Sequence, residues 1–190
     1  MNYLSKRSLL GMLTLAVLAF SQMISTAAPP SEETLITDLA SPKAGKVTDA
    51  LQDLEKHYPT STNAFSTIKK LLSDPRIKVQ RKAARVLGSL HAPVDQTDIG
   101  NICALLKSTD ANTVQDGLRA LRGLDAPSAV PEILPLLNHS SPFVIRDACR
   151  TLAVIGNKNV IPQIEPLLKS QEPAIQKDAQ DAIVALKAKS

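Results

Sequence analysis

Seven basic residues recur at matched places along the chain: Arg81 and Arg85, Arg119 and Arg122, Arg146 and Arg150, then Lys177. Long cationic side chains repeated at a fixed register suit one kind of chemistry. Aligned in a row, they offer forked donors to carboxylates on an acidic partner. No comparable set exists for bond-making chemistry. His57, His91 and His139 have no Glu, Asp or Cys at metal-ligand spacing, and there is no HExxH. GxSxG, CxxC and a glycine-rich phosphate loop are absent as well. The expectation is therefore no catalytic residue, no metal and no cofactor, with the three histidines on the surface. Cys103 and Cys149 are the two cysteines. They fall on helices of different repeats, so they read as small buried apolar residues; a disulfide is the alternative.

The basic row must be presented on helices. Arg81 and Arg85 are four apart, Arg119 and Arg122 three, Arg146 and Arg150 four, the steps of one helical face. Asp116 precedes Arg119 by three and Asp147 precedes Arg150 by three, which predicts local neutralisation of half the row. An ordinary solvated helix face is the competing reading. Because the row lies opposite the apolar stripe, reversing Arg85, Arg119 and Arg150 is expected to spare stability. Lys69, Lys70 and Lys107 on other helices make the matched control. Nucleic acid fits poorly, because aromatics amount to 3% and net charge is only +4 before processing.

The N-terminus has another purpose. "MNYLSKRS" is basic through Lys6 and Arg7, "LLGMLTLAVLAF" is an apolar run, and "SQMISTAA" is small and polar. That layout is a secretory signal peptide, and the run is short for a membrane span. Ser25 and Ala27 fit the small positions before a cut after Ala27. An uncleaved anchor is the alternative, and no Cys near the cut supports a lipoprotein. The expected mature chain is periplasmic or secreted, with no integral span and a charge reduced to +2.

Beyond residue 30 the chain repeats itself. Leu39, Leu72, Leu106, Leu137 and Leu168 are spaced by 33, 34, 31 and 31 residues. Four before each stands Leu35, Ile68, Ile102, Ile133 or Ile164; eleven after stands Ala50, Ala83, Gly117, Ala148 or Ala179. A register held through five copies marks a repeat array. Each unit reads as a short helix ending at the reference Leu, a polar turn, and a second helix. Val144, Ala148, Leu152 and Ile155 show the apolar stripe of that second helix. A Gly or Pro closes the unit. Pro131 and Pro162 sit in the first turn, where a missing N–H costs nothing, while Pro135 and Pro166 are expected to bend the first helix. Gln176 and Gln180 on the last unit and Asp53 on the first are polar outer faces, which predicts a capped, complete array.

The stretch "VIRDACRTLAVIGNKNVIPQIEPLLKSQEPAIQKDAQDAIVAL" resembles HEAT repeats, in particular the short bacterial type also found in phycobilin lyases. The resemblance covers residues 31–190. It implies an all-α, right-handed α-solenoid of five helix–turn–helix repeats over 28–190, with segment 1–27 as signal peptide. The repeats run approximately 31–58, 62–91, 97–125, 128–156 and 159–188. It also implies that second helices line the concave face, which would carry the basic row. Some HEAT-like enzymes bind two irons through His-Glu pairs, and this chain has no His-Glu dipeptide. The Arg usual after the Val that opens the second helix is Gln80, Val114, Ile145 or Gln176, and the usual turn Asp survives only as Asp74. These departures from the family pattern put the Asp–Arg ladder of relatives in question for this chain. The resulting expectation is an exported, non-catalytic, monomeric scaffold that binds an acidic protein partner. An enzyme-associated or lyase-like accessory role is the alternative implied by the resemblance.

Overall fold

Short apolar stripes separated by polar turns can only be buried by pairing helices and stacking the pairs. The computed structural model, which describes residues 29–189, shows that arrangement. The expected signal segment lies outside the described residues. Five helix pairs follow one another: α1 (Glu32–Asp38) with α2 (Ala44–His57), α3 (Phe65–Lys70) with α4 (Ile77–Ser89), and α5 (Gln96–Leu105) with α6 (Ala111–Gly123). Then come α7 (Val130–Ile133) with α8 (Pro142–Ile155), and α9 (Ile161–Ile164) with α10 (Pro173–Ala188). The second helices α2, α4, α6, α8 and α10 pack side by side in series, each also covering its own first helix. The result is an all-α solenoid with one continuous aliphatic core, from Leu35 to Leu186.

The small register decides how closely each pair approaches. Ala50, Ala83, Ala148 and Ala179 are almost wholly buried. At Gly117 the fit is tighter still, since an added Cβ would stand 3.0 Å from Leu106 and 3.2 Å from Leu105 on the first helix. Of the reference leucines, Leu39, Leu72, Leu106 and Leu137 are buried, whereas Leu168 is 37% exposed. Leu168 belongs to the last of the five described pairs, which has a stacked neighbour on one side only.

All five turns share a device. The residue two after the reference Leu accepts a hydrogen bond from the backbone N–H two residues further on. Lys43 N donates to Ser41 Oγ (3.2 Å), Arg76 N to Asp74 Oδ1 (2.9 Å) and Asp110 N to Ser108 Oγ (3.1 Å). Ser141 N donates to His139 Nδ1 (2.9 Å) and Glu172 N to Ser170 Oγ (3.2 Å). A short acceptor side chain thus sets the entry to every second helix. His139 is accordingly a half-buried turn residue, not simply a surface one.

The prolines change the winding of the first helices, where a bend was expected. Pro135 lacks an N–H for the carbonyl four residues back, and its ring crowds that carbonyl. The segment responds with one α-turn in α7 and 3-10 winding from Leu134 to Asn138. Pro166 has the same outcome at Glu165–Lys169.

Unit ends also differ from expectation. His91 (φ 49°) and Asp125 (φ 48°) take the left-handed position nineteen after the reference Leu, and in each case the next N–H closes a wide loop. Those bonds run from Ala92 N to Leu87 O (3.0 Å) and from Ala126 N to Leu121 O (3.2 Å). This is the helix-ending geometry that glycine usually serves. Gly156, at the same register, instead has φ −80° and ψ 176°. Its small size is needed because a Cβ would stand 2.6 Å from the Leu152 carbonyl oxygen.

Candidate functional site

The position ten after the reference Leu, just inside the basic row, reads Asp49, Lys82, Asp116, Asp147, Asp178. Asp116, Asp147 and Asp178 are buried, with 4 to 7% of their surface exposed. Three carboxylates in so dry a place need cations, and the preceding unit supplies them. Arg81 holds Asp116 through Nε (2.8 Å) and Nη2 (2.7 Å), with Arg85 Nε at 3.8 Å. Arg119 Nη2 meets Asp147 at 3.0 Å. Arg146 Nε and Arg150 Nη2 meet Asp178 at 2.7 and 3.1 Å.

The pairing predicted within single helices is therefore largely replaced by pairing between units. No ion pair joins Asp116 to Arg119 among the described residues, and Arg150 touches Asp147 only at 3.7 Å. Most of the row braces the stack as well as facing outward. That overturns the expectation that Arg85, Arg119 and Arg150 can be reversed without loss of stability. Lys69 is equally unsuitable in the control, since it pairs with Asp98 of the next unit at 3.1 Å.

At the first boundary the polarity inverts. Lys82 occupies the register of the aspartates and pairs with Glu55 of the preceding unit at 3.0 Å, while Ser89 Oγ donates to the same carboxylate at 2.6 Å. Burial raises the Glu55 pKa, but these two hydrogen bonds outweigh it and hold the group below its ordinary value. Arg76 forms a further link: it binds Asp74 at 2.6 Å and donates to the Ser41 and Pro42 carbonyls of the preceding turn at 3.1 and 3.0 Å. Asp110, a second turn aspartate that the sequence comparison missed, caps α6 through Thr113 and reaches Arg81 at 3.3 Å.

Arg85, Arg119, Arg150 and Lys177 are exposed, and Arg81, Arg122 and Arg146 are half-buried. Lys177 spends its charge on Asp181 at 2.5 Å. Arg122 has no hydrogen bond or ion pair among the described residues. Six arginines thus confront three buried carboxylates, leaving a positive excess on the second-helix face. Two stretches of furrow cross that face. One is lined by Gln52, Ile77, Arg81, Arg85 and neighbours; the other by Arg85, Arg119, Arg122, Val154 and neighbours. Arg85 is common to both.

The reactive side chains are otherwise engaged. Burial pushes the Cys103 thiol up to about 11 and the Cys149 thiol up to about 12, and both are free. His91 is exposed but its Nδ1 bonds the Gly123 carbonyl across a unit boundary (2.6 Å). Phe143 is 65% exposed. Among the described residues, no three His, Cys, Asp or Glu gather as a metal site, and no helix is long and apolar enough to cross a membrane.

Residues 100–184 match the family model for HEAT repeats. No curated protein matches the chain. Among solved structures, the complex of CpcE and CpcF of phycocyanin lyase from Nostoc sp. PCC7120 is similar with a TM-score of 0.72 at 20% identity, covering 87% of this chain and 68% of that chain. An engineered protein gives 0.63 at 23% identity, covering 82% and 78%. A designed armadillo repeat protein in complex with the peptide (KR)4 gives 0.62 at 18%, covering 80% of each chain. At such identities the likeness is one of fold. Residues 100–184 thus carry HEAT-type repeats, and the described chain shares the all-α solenoid fold of HEAT and armadillo proteins.

Proposed function

We propose that the chain is an exported, non-catalytic scaffold that binds an acidic protein partner along the face formed by its second helices. One observation carries this reading: six arginines meet three buried carboxylates and the exposed Asp110, so the ladder that braces the stack still leaves an excess of positive charge along a furrowed surface. The partners of the reactive groups support the non-catalytic part. The thiols are buried and the aspartates of the face are tied to arginines. A designed armadillo relative in fold is in complex with a basic peptide; here the charge of the face calls for the opposite sign. Export rests on the basic, apolar and small-residue segments before Ala28. A lyase-like accessory role has only the shared fold in its favour.

A photo-crosslinking residue at Gln52, which is exposed at the register of Arg85, tests the face in the native cell. Adducts from Gln52 but not from Lys107 on the first-helix side are expected. Adducts only from Lys107, or none from either, would overturn the reading.

A further inference from the structure

Five large apolar side chains are conspicuously exposed among the described residues: Ile77, Phe143, Val154, Leu168 and Val184. Two of them, Ile77 (50% exposed) and Val154 (46%), line the two stretches of furrow that meet at Arg85. Between them lie Arg81, Arg85, Arg119 and Arg122, opposed by Asp116, Asp147 and, at Arg81, Asp110; Asp49 and Lys78 also line the Ile77 end. Arg85 Nε stands 3.8 Å from Asp116, and Arg122 meets no carboxylate among the described residues. Glu55 in the same furrow is neutralised by Lys82. The surface thus runs apolar, then basic with unspent donors, then apolar. What sets Ile77 and Val154 apart from singly exposed residues such as Phe143 is that each lines a stretch of furrow that also carries Arg85.

Resting on the second-helix reading above, we infer that this furrow takes one extended peptide segment with acidic residues at its centre and an apolar residue near each end. The reach fits. Ile77 begins α4, and Val154 ends α8 two helices along the stack, about 18 Å away at typical helix spacing. The offset along the helix axes adds about 18 Å more. The diagonal of about 25 Å corresponds to roughly eight extended residues. Central carboxylates would lie over Arg85, Arg119 and Arg122, where paired donors add strength to the charge attraction. The apolar ends would cover Ile77 and Val154 and remove them from water.

Fluorescence anisotropy on the mature chain tests this with a synthetic peptide carrying central glutamates and a leucine near each end, about eight residues apart. Replacing either leucine by serine, or the glutamates by glutamine, should weaken binding about tenfold. Ile77→Ser, Val154→Ser and Arg122→Gln should each weaken it roughly three- to tenfold while the chain stays folded with only a small change in melting temperature, because Ile77 and Val154 are about half exposed and Arg122 breaks no ion pair among the described residues. Phe143→Ser and Val184→Ser should bind as the unaltered chain does. Equal binding of the serine-ended peptide, equal binding of a single-stranded oligonucleotide, or no peptide binding at all would overturn the inference. If Gln52 crosslinks a partner that the peptide does not displace, the segment is wrong and the face stands. If Gln52 crosslinks nothing, the face itself is wrong.

Discussion

At the scale of the residue, the arginines that brace the stack also form the proposed binding face. A guanidinium that neutralises a buried carboxylate on one side keeps donors on the other, which a lysine ammonium does less well. The two roles separate by substitution. Arg150→Glu would aim a carboxylate at Asp178 and Asp147 and should cost about 1–3 kcal/mol in denaturant unfolding. Arg122→Glu, which breaks no pair, should stay within about 0.5 kcal/mol. Equal losses would show that the ladder is not a structural element. Asp74 offers a pH test. Its hydrogen bond with Arg76 holds its pKa below the ordinary 3.8, so the folded state binds its proton less readily than the unfolded chain. The contribution is complete above that ordinary value and is lost as pH falls through it toward the lower folded value. Asp74→Asn should flatten this part of the acid side of a stability–pH curve.

At the scale of the element, close approach of helices is the controlling quantity. Ala148 sits at the small register shared by all five units, and Ala148→Leu should cost about 1–3 kcal/mol or more. Lys187, exposed on α10, is the right neutral control for thermal melts. Lys189 is not, because its Nζ reaches the Val154 and Gly156 carbonyls. Between units 2 and 3 the helices meet backbone to backbone: a Cβ on Gly123 would run into the Gly88 carbonyl. Gly123→Ala should therefore destabilise by about 1–3 kcal/mol, the range of overpacking. Asp125→Gly should do the reverse, adding about 0.5–1 kcal/mol by relieving a left-handed backbone at an exposed helix end. A loss at Asp125 comparable to that at Gly123 would show that its left-handed conformation carries no penalty.

At the scale of the whole molecule, export and architecture are separate questions. The solenoid is held by a core that passes from unit to unit and by ion pairs that cross each boundary from α2 to α10. The proposed export signal lies in the residues before this core. N-terminal sequencing of protein recovered from the cell envelope should begin at Ala28, and a mature form beginning at Met1 would refute the proposed cleavage.

Local order was legible in the residues themselves. A reference Leu, a small residue eleven later and an apolar stripe at helical steps recur in every unit because helix periodicity is a property of consecutive residues. They were enough to establish the helix pairs and the stack. The basic row was legible too, but its chemistry was not. Asp116 lies three residues from Arg119 in sequence, yet stacking brings it to Arg81 and Arg85 of the unit before. The regular Asp at the tenth position was a visible signal, but its partner depends on how neighbouring helices are placed. The same holds for the left-handed turns at His91 and Asp125: both residue types tolerate that backbone better than most, but many other positions carry them without adopting it. It holds also for Ile77 and Val154, apolar residues on the outward face. Spacing along one helix determines which residues share a face; only the packing of the next helix decides what that face meets.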